Sequence, residues 1–278
     1  MARRCKFYMG ELLARSYARA YLGHIEKRIR EWRFNEMDVL FLQTADQVKY
    51  KPVLELTSRT VVEYCSIHGF SYESFLGIYR GYHSWQATYN RIPLLRRIAE
   101  SGFSGWVCYM DADAYIVDLH FDLRKYLSDK DEIAFIAATD RPGQPDREFW
   151  FVNAGVFFVN LGSRYGREII YEWAEAFERI TDRELEAARK WGDVLNDQDM
   201  LQRVLKGLSA PERAFLILYG EGNVINYHAK FIPQVLRHES TSFDERTEII
   251  RAATNKVVEL RRKFLSEGGQ PAPCLLAD

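Results

Sequence analysis

A chain of 278 residues, 47% of them hydrophobic, carries enough apolar material for a large α/β core and lies well outside the composition of disordered proteins. Its formal net charge of −1 gives no general field for nucleic acid or an anionic membrane. No apolar stretch approaches a membrane span, no signal-peptide core follows Met1, and the four cysteines (Cys5, Cys65, Cys108, Cys274) have neither metal-ligand nor redox spacing. These features predict a reduced, cytoplasmic protein, soluble or at most peripheral at a membrane.

Residues 1–34 are basic and helical in pattern. Leu13, Tyr17, Tyr21, Ile25, Ile29 and Trp32 recur at spacings of four or three, with Arg15, Arg19, Lys27, Arg28 and Arg30 between them. Such a stripe suits packing on the domain, on a second copy in a homodimer, or on a membrane surface. Val39 to Gln43 reads as a first strand, residues 52–67 as a helix, and Ser71 to Leu76 as a weaker strand. Ile92 to Ile98 forms a short helix with Pro93 tolerated in its first turn. Trp106 to Met110, Ile133 to Ala138 and Val152 to Val159 are three further strands. A long helix after Gly162 aligns Ile169, Ile170, Trp173 and Phe177, and residues 243–266 form a last amphipathic helix. Strand and helix alternate, which predicts a mostly parallel sheet covered on both faces. Without repeats, low-complexity tracts or linkers, the chain reads as one domain over residues 1–278, with its core at 39–230.

The chemistry concentrates in four places. An apolar strand runs into Asp111-Ala-Asp113, and a strand end at the carboxyl edge of an open α/β sheet is where such folds bind ligands. Side chains two apart on a strand share a face, so both carboxylates can address one site. They would repel each other there unless a hard cation, Mg²⁺ or Mn²⁺, lay between them and shared its charge with substrate phosphates. A solvated acidic turn is the bland alternative. Asn153-Ala154-Gly155 interrupts a strand with a glycine, which marks either a bulge or the close approach of a ligand or another backbone. Asn196-Asp197-Gln198-Asp199 opens a helix that Asp197 is suited to cap. His228, near a strand end, is a candidate third ligand for the acid pair.

A phosphatase of the haloacid-dehalogenase type also begins from an apolar strand ending in Asp-x-Asp and later uses Gly-Asp-x-x-x-Asp, which Gly192 to Asp197 provides. More than a hundred residues precede Asp111, however, and Glu186 to Trp191 looks helical where that motif needs a strand before it.

In this order the motifs resemble those of GT-A nucleotide-sugar glycosyltransferases. They are most similar to the retaining fungal α-galactosyl/mannosyltransferases and plant xyloglucan xylosyltransferases, and to the glycogenin/lipopolysaccharide galactosyltransferase group. The resemblance runs from about Val39 to His228 and implies a Rossmann-like fold, an Mn²⁺ or Mg²⁺ cofactor, a UDP- or GDP-sugar donor, and a saccharide or other hydroxyl acceptor. It further implies that Asp111, Asp113 and His228 hold the metal and that Thr44, Asp46 and Tyr50 form the nucleotide loop. Arg91 and Lys230 would meet the diphosphate, and Asn153, Ala154 and Gly155 would line the sugar pocket. Asp197, Gln198 and Asp199 would form the catalytic loop, with Gln198 beneath the anomeric carbon if configuration is retained, or with Asp197 or Asp199 as base if it is inverted. The chain departs from the second group after His228, where Phe231 replaces a glycine and Lys230 comes early. A non-catalytic scaffold of the same fold is the alternative that retention of Asp111, Asp113 and the Asp197-Gln198-Asp199 motif together argues against.

Overall fold

The structure, a computed structural model, describes residues 38–140, 148–220, 222–236 and 242–267. The basic segment 1–34 and the loop from Arg141 to Asp146 lie outside them. β1 (Val39–Ala45), α1 (Lys51–His68) and β2 (Ser71–Leu76) are followed by a 3-10 helix, Ser84–Asn90, that runs directly into α2 (Arg91–Glu100). Next come β3 (Trp106–Asp111), α3 (Leu123–Leu127), β4 (Phe135–Thr139), β5 (Val152–Asn160) and α4 (Arg164–Glu178). The remainder is α5 (Asp182–Ala187), α6 (Asp197–Lys206), α7 (Ala210–Arg213), β6 (Leu216–Tyr219), β7 (Ile225–Asn226), β8 (Ile232–Pro233) and α8 (Phe243–Ser266).

Six strands form one sheet in the order β2-β1-β3-β5-β4-β6, and β7 pairs with β8 separately. Within the large sheet only β5 runs against its neighbours. The expected mostly parallel α/β sheet is therefore present, and the reversal of β5 matters for the site. The start of β5 lies beside the ends of β3 and β4, with Met110 opposite Val156 and Ala138 opposite Asn153.

The continuous apolar runs arise because both faces of the sheet are covered. Leu40, Leu42, Val107, Tyr109, Phe157 and Val159 pack on one side with Trp173 of α4 and Leu201 of α6. Phe41, Cys108, Met110, Val156 and Phe158 pack on the other with Val61 and Tyr64 of α1. Cys108 is fully buried in this second layer.

The last helix folds back onto the first. Arg261 reaches Glu63 at 3.0 Å, Arg59 donates to Asn255 at 2.9 Å, and Ile250 packs with Val53 and Leu56. Among the described residues no helix is long and apolar enough to cross a membrane. The phosphatase motif has no matching architecture. Asp193 follows a helix and a turn, and its carboxylate accepts the Arg189 and Lys190 backbone N–H groups.

Candidate active site

The two aspartates converge, but not through strand periodicity. β3 ends at Asp111, and the chain turns there, with the Ala114 N–H donating to the Asp111 carbonyl at 3.0 Å. Asp113 stands in that turn. What brings the carboxylates together is Gln234, just beyond β8, whose Nε2 donates to Asp111 Oδ2 at 3.2 Å and Asp113 Oδ1 at 2.9 Å. The backbone fixes Gln234 in place. It bridges to Ala114, Tyr115 N–H donates to the Pro233 carbonyl, and Val235 N–H donates to that of Asp113.

An arginine holds each remaining carboxylate oxygen. Arg91 Nη2 lies 2.6 Å from Asp111 Oδ1, and Arg246 Nη1, from α8, lies 3.3 Å from Asp113 Oδ2. Tyr109 also donates to Asp111 Oδ1, at 3.1 Å, so the Thr44 hydroxyl 3.0 Å away must donate to the phenol oxygen. Burial pushes the Asp111 carboxyl up to about 7, with Arg91 opposing the rise and Asp113 and Asp197 adding to it. Burial also works against the Arg91 charge, but Asp111, Tyr109, Asp197 and Asp113 more than offset it and hold Arg91 protonated.

Several residues expected at the donor serve other roles. Arg91 is 3% exposed, and its guanidinium is fully engaged. Besides Asp111 it donates to the Thr88 and Ala154 carbonyls and pairs with Asp197 Oδ2 at 3.3 Å. It locks α2, β3, β5 and α6 together instead of facing solvent. Asp46, also buried, spends both oxygens on the N–H groups of Val48, Lys49 and Tyr50, which shapes the loop leading into α1. Thr44 is buried behind Tyr109. Tyr50 remains half-buried at the edge, accepting from Arg246 Nη2 at 2.5 Å.

The start of β5 meets α6 as the motifs suggest. Gln198 Oε1 accepts the Ala154 N–H at 3.1 Å, and Asn153 Oδ1 accepts that of Gly155 at 2.7 Å. Asn196, not Asp197, caps α6, because its side chain accepts the Asp199 N–H at 2.9 Å. Asp197 is thereby left free to turn inward to Arg91, while Asp199 stays exposed and accepts from Asn196 Nδ2 at 2.8 Å. His228 and Lys230 are both exposed, and His228 has a left-handed backbone, φ 49°. Among the described residues no three His, Cys, Asp or Glu side chains gather as a metal cluster, so His228 is not brought together with Asp111 and Asp113.

Sequence reasoning missed Gln234, Arg246 and Asp140. Asp140 follows β4, and its Oδ2 accepts from Gln202 Nε2 at 3.0 Å and Gln198 Nε2 at 3.4 Å. The glycine in β5 was the available signal for Gln234. A β-carbon on Gly155 would overlap the Gln234 amide, so the close approach is by a side chain. Gly155→Ala should therefore displace Gln234, costing about 1–3 kcal/mol and separating the acid pair. A thermal melt and the loss of activity together would check this, and an alanine variant of full stability and activity would refute it.

The residues fit a divalent cation by their chemistry. Two carboxylates point at one spot, and beside them Gln234 Oε1 is buried without a hydrogen-bond partner. An oxygen-only donor set of this kind suits Mg²⁺ or Mn²⁺.

The fold is similar to that of a glycosyltransferase involved in glycosylating the major capsid of PBCV-1. The two align with a TM-score of 0.54 at 17% identity, over 77% of this chain and 99% of that one. Residues 36–154 match the model of the galactosyl transferase GMA12/MNN10 family, a stretch that includes Asp111, Asp113 and Asn153. The chain has a GT-A fold. The bifunctional glycosyltransferase WbbM also aligns, with a TM-score of 0.45 and 11% identity, over 81% of this chain and 52% of that one. No curated protein matches the chain in sequence. The family match ends at Ala154, before the Asp197-Gln198-Asp199 loop that α6 carries back to the same edge of the sheet.

Proposed function

We propose that this protein is a glycosyltransferase that moves a sugar from a UDP- or GDP-sugar to a hydroxyl of a saccharide or other acceptor, with retention of anomeric configuration and with Mn²⁺ or Mg²⁺ held at Asp111 and Asp113. The observation that carries this reading is the meeting of three motifs at one edge of the sheet. The acid pair ends β3, Ala154 and Gly155 open β5 beside it, and Arg91 ties Asp111 to Asp197 at the start of α6. A cation bound there would supply Lewis-acid and templating chemistry to the departing diphosphate.

The chain's own residues position the sugar. Asn153 lines the pocket, Gly155 makes room for Gln234 behind it, and Gln198 is held between the Ala154 N–H and Asp140. No carboxylate of α6 is placed as a free nucleophile, because Asp197 is buried against Arg91 and Asp199 is bound by Asn196. A neutral amide stabilises positive charge at the anomeric carbon without forming a lasting bond to it. The acceptor then attacks from the leaving-group face, and the donor phosphate takes its proton. Were configuration inverted, exposed Asp199 would be the base, since Asp197 is committed to Arg91.

Gln198→Ala should slow transfer by one to two orders of magnitude, about 1.4–3 kcal/mol, with little change in donor KM. The test of the whole reading is a panel of nucleotide sugars assayed with Mn²⁺ and with excess chelator, the product's anomeric configuration being read by NMR. Equal activity in chelator would remove the cation, and an inverted product would remove Gln198 from its role.

A further inference from the structure

The four oxygens of the acid pair are divided in an ordered way. The arginines take the outer two, Asp111 Oδ1 and Asp113 Oδ2, and leave Asp111 Oδ2 and Asp113 Oδ1 facing each other. The amide nitrogen of Gln234 reaches both inner oxygens, at 3.2 and 2.9 Å. Gln234 is 6% exposed, and its other terminal atom, Oε1, is buried against Gly155 with no hydrogen-bond partner. An amide so placed has its donors satisfied and its acceptor stranded, which is unfavourable relative to a paired carbonyl. Among the described residues, three carboxylates (Asp111, Asp113, Asp197) face two guanidiniums (Arg91, Arg246), so with all groups ionised these five carry one more negative charge than positive.

Resting on the cation reading above, we propose that Gln234 is the third protein ligand of that cation, and that it becomes so by a half-turn of its terminal amide. The turn exchanges nitrogen and oxygen, which have nearly the same shape. Oε1 then stands where Nε2 stands now, within reach of both inner carboxylate oxygens. Without a cation that orientation sets three oxygens against one another, and the amide turns its N–H groups inward to seal the pair. With a cation the N–H groups are repelled and the carbonyl is drawn in. The stranded acceptor thus gains a partner in the bound state, and the leftover negative charge is met. Gly155 is what lets the amide lie flat against β5 in both orientations.

The surroundings are built in the same unfinished way. Asn226, in β7, accepts the Gln234 backbone N–H at 3.3 Å, and its own side-chain Nδ2 and Oδ1 are both buried without partners. Its backbone is left-handed, with φ 74°, a conformation that few residues besides glycine and asparagine adopt readily. Two buried amides with unsatisfied atoms on one strand pair point to polar groups that arrive with the substrate or the ion.

Mn²⁺ alone, titrated into the full chain and followed by loss of the free-ion EPR signal, separates the outcomes without any assay of activity. Wild type should bind Mn²⁺ saturably, and Gln234→Ala should bind at least about tenfold more weakly. If the amide were only a seal that competes with the ion, Gln234→Ala would bind as tightly as wild type or more so, and the proposal would be overturned while the cation reading stood. If wild type bound no Mn²⁺, both would fall. Should the alanine variant fail to fold, Gln234→Glu decides. It keeps the oxygen ligand but places a third carboxylate in the cluster, so Mn²⁺ should raise its melting temperature by more than it raises that of wild type. An equal or smaller rise would overturn the proposal.

Discussion

Asp111→Asn should lower transfer by about a thousandfold or more while leaving the fold in place, because the two effects fall on different parts of the same cluster. Asparagine keeps the shape of the side chain and can still accept from Arg91 and Tyr109, which now bind Asp111 Oδ1. Arg91 also keeps its pair with Asp197. The cluster as a whole moves from one excess negative charge to none, so the folded state loses little. Transfer, by contrast, would lose one of the charged oxygens that the proposed cation site offers. Removing that much stabilisation from a leaving diphosphate is worth several kcal/mol, and each 1.4 kcal/mol is about tenfold in rate. Initial rates with saturating Mn²⁺, paired with a thermal melt, would check both halves. An asparagine variant with more than about a tenth of wild-type activity would show that the carboxylate is not a ligand in the reaction.

The sheet was legible because burial on both faces writes itself as apolar runs. Val39 to Gln43, Trp106 to Met110 and Val152 to Val159 contain too few polar residues to be anything but central strands. The direction of β5 was not legible, since an antiparallel strand inside such a sheet carries the same composition as its neighbours. The acid pair was found for a partly mistaken reason. Strand periodicity placed Asp113 on the face of Asp111, whereas the chain turns at Asp111 and the two acids meet through the amide of Gln234.

Neither Gln234 nor Arg246 could be read from local pattern. Gln234 reaches the site because a two-residue strand pair and a single bridge to Ala114 carry it there. Arg246 looks like one more charge on an amphipathic helix, and only the docking of α8 on α1 turns it inward to Asp113 and Tyr50. Arg91 was recognised as important from its place in the motif order. Its task depends on Asp197 and the Ala154 carbonyl, which are far away in sequence.

Arg91→Met should be among the most destabilising single changes in the chain. The side chain is 3% exposed and is the only arginine in contact with both Asp111 and Asp197 among the described residues. Removing its charge leaves buried Asp197 and half-buried Asp111 short of a partner and strands the Ala154 and Thr88 carbonyls that it now serves. Breaking a buried pair by deleting one member costs about 3–5 kcal/mol, which for a domain of this size lowers the melting temperature by roughly 10 °C. Arg91→Lys should recover little of that loss. One ammonium cannot reach acceptors on the 3-10 helix, β3, β5 and α6 at once, whereas the planar guanidinium presents five donors in a fixed fork. Adding Asp197→Asn to Arg91→Met should return part of the stability, because it removes one of the two uncompensated charges. Contacting residues in such a network couple by about 0.5–3 kcal/mol. The opposite result is equally informative. If Arg91 faced the donor, as the motif resemblance implies, Arg91→Met would melt near the wild-type temperature and raise the KM for the nucleotide sugar instead. Denaturation midpoints of the four variants in the double-mutant cycle, measured beside donor KM, would distinguish a residue that binds diphosphate from one that holds Asp111 and Asp197 in place.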